Sequence, residues 1–128
     1  MSGYPSKVKS FAWVGDTPYL VTSGANEAIC WPFDGKDGPM GRAPVCVARS
    51  ESQIVTYVQE LNAANAVFSG FRDGSVFVAE IDENKEPIVL KGSSGSAIAG
   101  ISLTSSLSHI LIGDESGEVF WSPLAKAI

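Results

Sequence analysis

Apolar residues along this chain come in short runs, many of them alternating, and each run closes on a polar or glycine-containing turn. In residues 67–81, VFSGFRDGSVFVAEI, an apolar run steps through Ser69 and Gly70 into the turn Arg72-Asp73-Gly74 and resumes as the alternating SVFVAEI. Period-two alternation carried by Val, Phe and Ile marks a half-buried strand. Asp73-Gly74 is a hairpin signal: glycine takes positive φ without a Cβ clash, and the aspartate carboxylate bonds its own turn. The same figure returns in residues 20–33, LVTSGANEAICWPF, and 110–124, ILIGDESGEVFWSPL. Gly24, Gly70 and Gly113 align at separations of 46 and 43 residues. Upstream, Val8, Ile54 and Ile98 match at separations of 46 and 44, as do Phe11, Tyr57 and Ile101. Two independent anchors with one period identify an internal repeat. In the first copy the turn GANEA is one residue shorter and lacks the second glycine, so its geometry must differ.

The pattern predicts strands at about 7–14, 19–24, 28–33 and 45–49 in the first unit. In the second it predicts them at about 53–60, 66–71, 75–81 and 87–91, and in the third at about 97–104, 109–113 and 118–122. Only ELNAANA, residues 60–66, has a helical look, and its two asparagines and short length favour a turn. A repeat of roughly 40–45 residues with four strands per unit is the signature of a β-propeller blade. The expected fold is therefore all-β: one propeller segment over residues 1–128, with blade units at about 7–52, 53–96 and 97–124, the last lacking its outer strand.

At this point the chain resembles the WD40-repeat family over nearly its whole length. The step Ser69-Gly70-x-x-Asp73-Gly74-x-Val76 is close to that family's second-strand and turn pattern. Trp31 and Trp121 stand where its closing tryptophan falls, with Val78 in that place in the second unit. No unit has the family's Gly-His pair, so of its His–Ser–Asp–Trp network only Ser69 and Asp73 have counterparts. Residues 31–44, WPFDGKDGPMGRAP, resemble an insert between third and fourth strands in a group of bacterial WD40 proteins. Three glycines and three prolines there predict a shaped surface loop. Either it packs Phe33 and Met40 on its own blade, or it is a recognition loop.

Composition narrows the function. With 45% apolar and 18% charged residues, the chain is globular rather than disordered. A net charge of −5 and scattered cations argue against nucleic acid. The start, MSGYPSKVKSFAWVG, has no apolar leader core, and no run approaches the roughly 20 apolar residues that span a bilayer. Two cysteines, Cys30 and Cys46, form no metal or disulfide framework by spacing, as expected of free thiols in a cytoplasmic protein.

Catalytic groups are sparse. His109 is the single histidine, and Ser108 beside it would point to the opposite face if both lay in a strand. Asp114, Glu115 and Glu118 lack the spacing of a calcium loop and suit a solvated turn. KGSSGSAIAG, residues 91–100, lacks the phosphate-loop arrangement and precedes a strand rather than a helix. No enzyme activity, cofactor or metal is expected.

Resemblance to WD40 proteins implies a protein-interaction scaffold whose partners are proteins or peptides. On the rim carrying the second-to-third-strand turns, the candidate contacts are Arg49, Glu51, Arg72, Lys91, Asp114 and Glu115; Ser69, Asp73 and Gly74 are candidate turn-formers. Three blades fall short of the 4–8 that close a ring, so two copies joined head to tail as a six-bladed homodimer are expected. The alternatives are a propeller fragment, natural or engineered, with a purely structural role, and a small-molecule-binding propeller enzyme.

Overall fold

The structure is a computed structural model that describes residues 4–14, 18–35, 37–50, 52–61, 64–82 and 85–124. Eleven strands fill the order β1 (Phe11–Val14), β2 (Tyr19–Thr22), β3 (Ala28–Pro32), β4 (Val45–Val47), β5 (Val55–Leu61), β6 (Ala66–Phe71), β7 (Val76–Glu80), β8 (Ile88–Lys91), β9 (Ile98–Leu103), β10 (His109–Asp114) and β11 (Val119–Pro123). They form three antiparallel meanders: β1-β2-β3-β4, β5-β6-β7-β8 and the three-stranded β9-β10-β11. These are propeller-like blades, and each strand falls inside or within a residue of its predicted span. Among the described residues no helix is long and apolar enough to cross a membrane.

First strands sit side by side at the centre of the fan. Ser10 Oγ donates to Val58 O (3.3 Å) and accepts from Val58 N (3.1 Å), joining blade one to β5. Thr56 Oγ1 donates to Ile98 O at 2.7 Å, joining blade two to β9. Alternation then directs one side of each blade onto the next. Val14, Val21 and Cys30 pack on Val58, Val67 and Phe71 between blades one and two. Leu61, Phe68, Val76 and Val78 pack on Ile98, Ile101, Ile110 and Ile112 between blades two and three. Each such fully buried Val, Ile or Phe is worth about 1.5–3 kcal/mol relative to an exposed one. Gly70 is required by this closeness: a Cβ there would lie 2.4 Å from Ile98 Cγ2. Burial first, and then neighbouring Cys46, pushes the Cys30 thiol up to about 12, so it stays protonated as a small core residue.

The turns repeat atom for atom between blades two and three. Phe71 N donates to Ser75 O, Arg72 N to Ile54 O and Gly74 N to Phe71 O. Asp114 N, Glu115 N and Gly117 N make the same three bonds to Glu118 O, Ala97 O and Asp114 O, each 43 residues on. Gly74 and Gly117 share φ values of 91° and 92°. In blade one, Gly24 N donates to Val55 O while Val55 N donates to Ala25 O, so that turn grips the following blade instead.

Two sequence alignments shift. Val21 sits across from Cys30, Phe68 from Val78 and Leu111 from Trp121, so Cys30, Val78 and Trp121 are the equivalent residues. Trp31 is displaced by one position and points to the other side of its blade. Its indole N–H donates to Tyr4 Oη at 2.6 Å, and Tyr4 Oη lies 2.6 Å from Thr22 Oγ1. By the same ladders Phe11 matches Val58 and Ile101, one residue from the predicted Tyr57. The one-residue-shorter first turn accounts for the slip.

Candidate functional site

The second-to-third-strand turns all reach one rim. Because Arg72 N and Glu115 N both bond the chain just before a central strand, their side chains come to equivalent places beside the axis. There they line a cleft of about 170 Å³ with Lys7, Lys9 and Thr56. Lys7 and Lys9 alternate in the extended stretch before β1, which puts both on one side. Sequence reasoning missed this pair, although the K-V-K spacing carried the signal. Among the described residues no ion pair ties Lys7, Lys9 or Arg72, so three cations face one carboxylate, Glu115.

The other rim candidates do different work. Lys91 Nζ donates to Gly74 O (2.7 Å) and Ser94 Oγ (3.0 Å) and lies 4.5 Å from the Phe120 ring centroid, clamping blade two to blade three. Asp114 is 7% exposed, which corrects its expected place in a solvated turn. Its Oδ1 accepts from Ser116 Oγ (2.6 Å), Ser116 N (2.9 Å) and Glu118 N (3.2 Å). The Ser116 hydroxyl, above all, holds the Asp114 carboxyl below its ordinary value. Arg49 lies on blade one, 3.8 Å from Glu27. Glu51 lies outside the described residues, as does most of the turn at 15–18.

Asp73 Oδ1 accepts from Ser75 N (3.0 Å) and Ser75 Oγ (2.6 Å), and its carbonyl accepts from Ser94 N and Gly95 N. Gly74 is wedged under that connection: a Cβ would meet Ser94 Oγ at 2.3 Å. Ser69 is fully buried, and its hydroxyl has no hydrogen-bond partner among the described residues. The four-residue network of the resembled family is therefore not formed through Ser69.

In the loop after β3, Phe33 meets Trp13 edge to face at 5.1 Å, and Arg42 pairs with Asp34. Met40 is 78% exposed instead of packing on the blade. Ser108 Oγ lies 3.0 Å from His109 Nδ1, contrary to the alternation argument, because Ser108 precedes the strand rather than belonging to it. Ser108 Oγ also contacts Thr104 Oγ1 (3.2 Å) and Ser106 Oγ (3.0 Å); the cluster is an exposed hydroxyl turn with no carboxylate bonded to His109. Among the described residues no group of three or more His, Cys, Asp or Glu could hold a metal ion.

Blade surfaces complete the picture. Leu111, Val119 and Trp121 are 41%, 66% and 69% exposed, whereas their equivalents Phe68, Val76 and Val78 are 0%, 0% and 3% exposed. At the opposite end Phe11 and Trp13 are 66% and 53% exposed.

No protein-family profile matches the chain, and no curated protein does. Among solved structures of similar fold is that of the computationally designed Ika4 protein, with a TM-score of 0.69 and 19% sequence identity. The match covers 97% of this chain and 70% of that one. The likeness concerns the fold: an all-β protein of propeller-like blades.

Proposed function

We propose that this chain is a non-catalytic interaction scaffold of the WD40 type, working in the cytoplasm as a half-propeller of which two copies close a six-bladed ring. The observation that carries the assembly is the bare apolar side of blade three. Leu111, Val119 and Trp121 stand where Phe68, Val76 and Val78 are sealed by the next blade. A second copy's blade one, through Phe11 and Trp13, is the apolar surface with which they would meet. Contiguous exposed apolar area of this kind usually marks an interface. On the closed ring, the axial cleft with Lys7, Lys9 and Arg72 would meet a protein or peptide partner without metal or cofactor.

Light scattering at micromolar concentration tests the assembly. A mass about twice 13.5 kDa is expected, falling to one copy in Trp121→Asp with the circular dichroism retained. A stable, cooperatively unfolding 13.5 kDa wild-type monomer would overturn it. Likeness to a designed protein supports a second reading, a propeller fragment whose role is structural self-assembly alone. The two readings part at the rim: Arg72→Glu should abolish partner capture under the first and change nothing under the second.

A further inference from the structure

We infer that the free edge of β11 is a strand-docking slot for a short, extended, apolar segment of a partner polypeptide. In blades one and two the third strand is paired on both sides. Ala28 and Cys30 of β3 face Val47 and Val45, and Val76 and Val78 of β7 face Lys91 and Ile88. Val119 and Trp121, the matching residues of β11, have no outer neighbour among the described residues.

The direction of the unpaired groups follows from the β10–β11 ladder. Asp114 N donates to Glu118 O at one end and Leu124 N to Ser108 O at the other. Alternation between those ends makes Ile112–Phe120 and Ile110–Ser122 the hydrogen-bonded pairs. The main-chain groups of Val119, Trp121 and Pro123 therefore face outward. Pro123 has no N–H, so the edge offers donors at Val119 and Trp121 only, a register three to four residues long.

Beside this edge runs a groove of about 240 Å³. Ile88 and Val89 of β8, 50% and 58% exposed, make one wall, and Ile110 and Ile112 make the floor. No charged residue lines the groove. The strands filling the equivalent slots are VCV in β4 and IVLK in β8, short and rich in β-branched residues. An occupant continuing the same ladder over the same kind of floor has the same chemistry. A second copy's residues before β1 do not suit it, because they are held to their own blade: Ser6 N donates to Gly24 O, and Lys9 N and Ser10 N donate to Ser23 Oγ. Pairing a peptide to an open sheet edge takes affinity from main-chain bonds and specificity from alternate side chains. The edge is radial, away from the faces on which two copies would meet, so this site stands independently of ring closure.

The test titrates the full chain into a fluorescently labelled peptide copying residues 86–92, EPIVLKG, with the mass of the protein recorded in the same samples. Saturable one-to-one binding is expected. N-methylation of the two amides that face β11 should weaken it about tenfold, the effect of losing two hydrogen bonds. Ile88→Lys, at an exposed wall position, should weaken it several-fold with an unchanged melting temperature. Absence of saturable binding up to about 1 mM, equal affinity of the N-methylated peptide, or indifference to Ile88→Lys in a folded variant would overturn the inference.

Discussion

Blades two and three have nearly the same backbone and very different surroundings. Phe68, Val76 and Val78 of blade two lie under the following blade, while Leu111, Val119 and Trp121 lie in the open. Their turns differ in the same way. Gly74 and Gly117 share one positive φ, yet a Cβ on Gly74 would strike Ser94 and Ser96, and one on Gly117 would meet nothing within 4 Å. Position within the repeat thus sets strand, turn and φ; the next neighbour in the array sets burial and, with it, what a substitution costs.

Paired substitutions turn that contrast into measurements. The largest effect is expected at Phe68: Phe68→Ala should cost about 3–5 kcal/mol in denaturant unfolding through its cavity. Leu111→Ala, its equivalent, should cost under about 1 kcal/mol in dilute samples and act chiefly by weakening self-association. Equal costs would mean that blade three is as well covered as blade two.

The turn glycines come next. Gly74→Ala combines positive-φ strain with a clash against Ser94 and should cost about 3 kcal/mol, whereas Gly117→Ala carries the strain alone, about 1 kcal/mol. Coincident unfolding midpoints for the two variants would show that the 92–96 connection yields freely.

A pH comparison is smaller. The folded Asp114 carboxyl is held below its unfolded value, so its contribution is complete above the ordinary carboxylate range and is lost as pH falls through the depressed value. Asp114→Asn should therefore flatten the acid side of the stability profile, read as denaturant midpoint against pH. A wild-type-like acid limb in that variant would remove Asp114 from the account.

The smallest effect is at Ser69, whose buried hydroxyl lacks a partner and whose blade-three equivalent is Ile112. Ser69→Ala should leave stability within about 0.5 kcal/mol or raise it by up to about 1 kcal/mol. A loss above about 1 kcal/mol would mean that the hydroxyl does find a partner.

Strand positions were legible because alternation and turn residues are local. Asp73-Gly74 predicted its hairpin, and SVFVAEI its strand, without reference to anything distant. Register in blade one was not legible: matching Gly24 to Gly70 ignored the shorter turn and misplaced Trp31 against Trp121. The predicted first strand, from residue 7, also begins late, at Phe11, because Lys9 N and Ser10 N bond Ser23 Oγ rather than a ladder partner. At the rim, a charged letter in a turn did not distinguish Arg72, beside the axial cleft, from Asp114, folded into its own turn. That distinction depends on which backbone amides lie within reach, and those are fixed by packing.

The main-chain bonds that cross between blades have a consequence for how the molecule opens. Ala25 and Val55, Gly24 and Val55, Ile54 and Arg72, and Ala97 and Glu115 tie each blade or its turn to the chain of a central strand. Such a molecule behaves as a short linear array with nearest-neighbour coupling. The middle blade cannot detach without uncovering both apolar seams, whereas either end blade uncovers one. Native-state hydrogen exchange should then read as a gradient, slowest at the amides of β6 and β7 and faster toward β1 and β11. A second copy seated on the ends would slow the outer amides selectively, which makes exchange rate against concentration a residue-by-residue record of assembly.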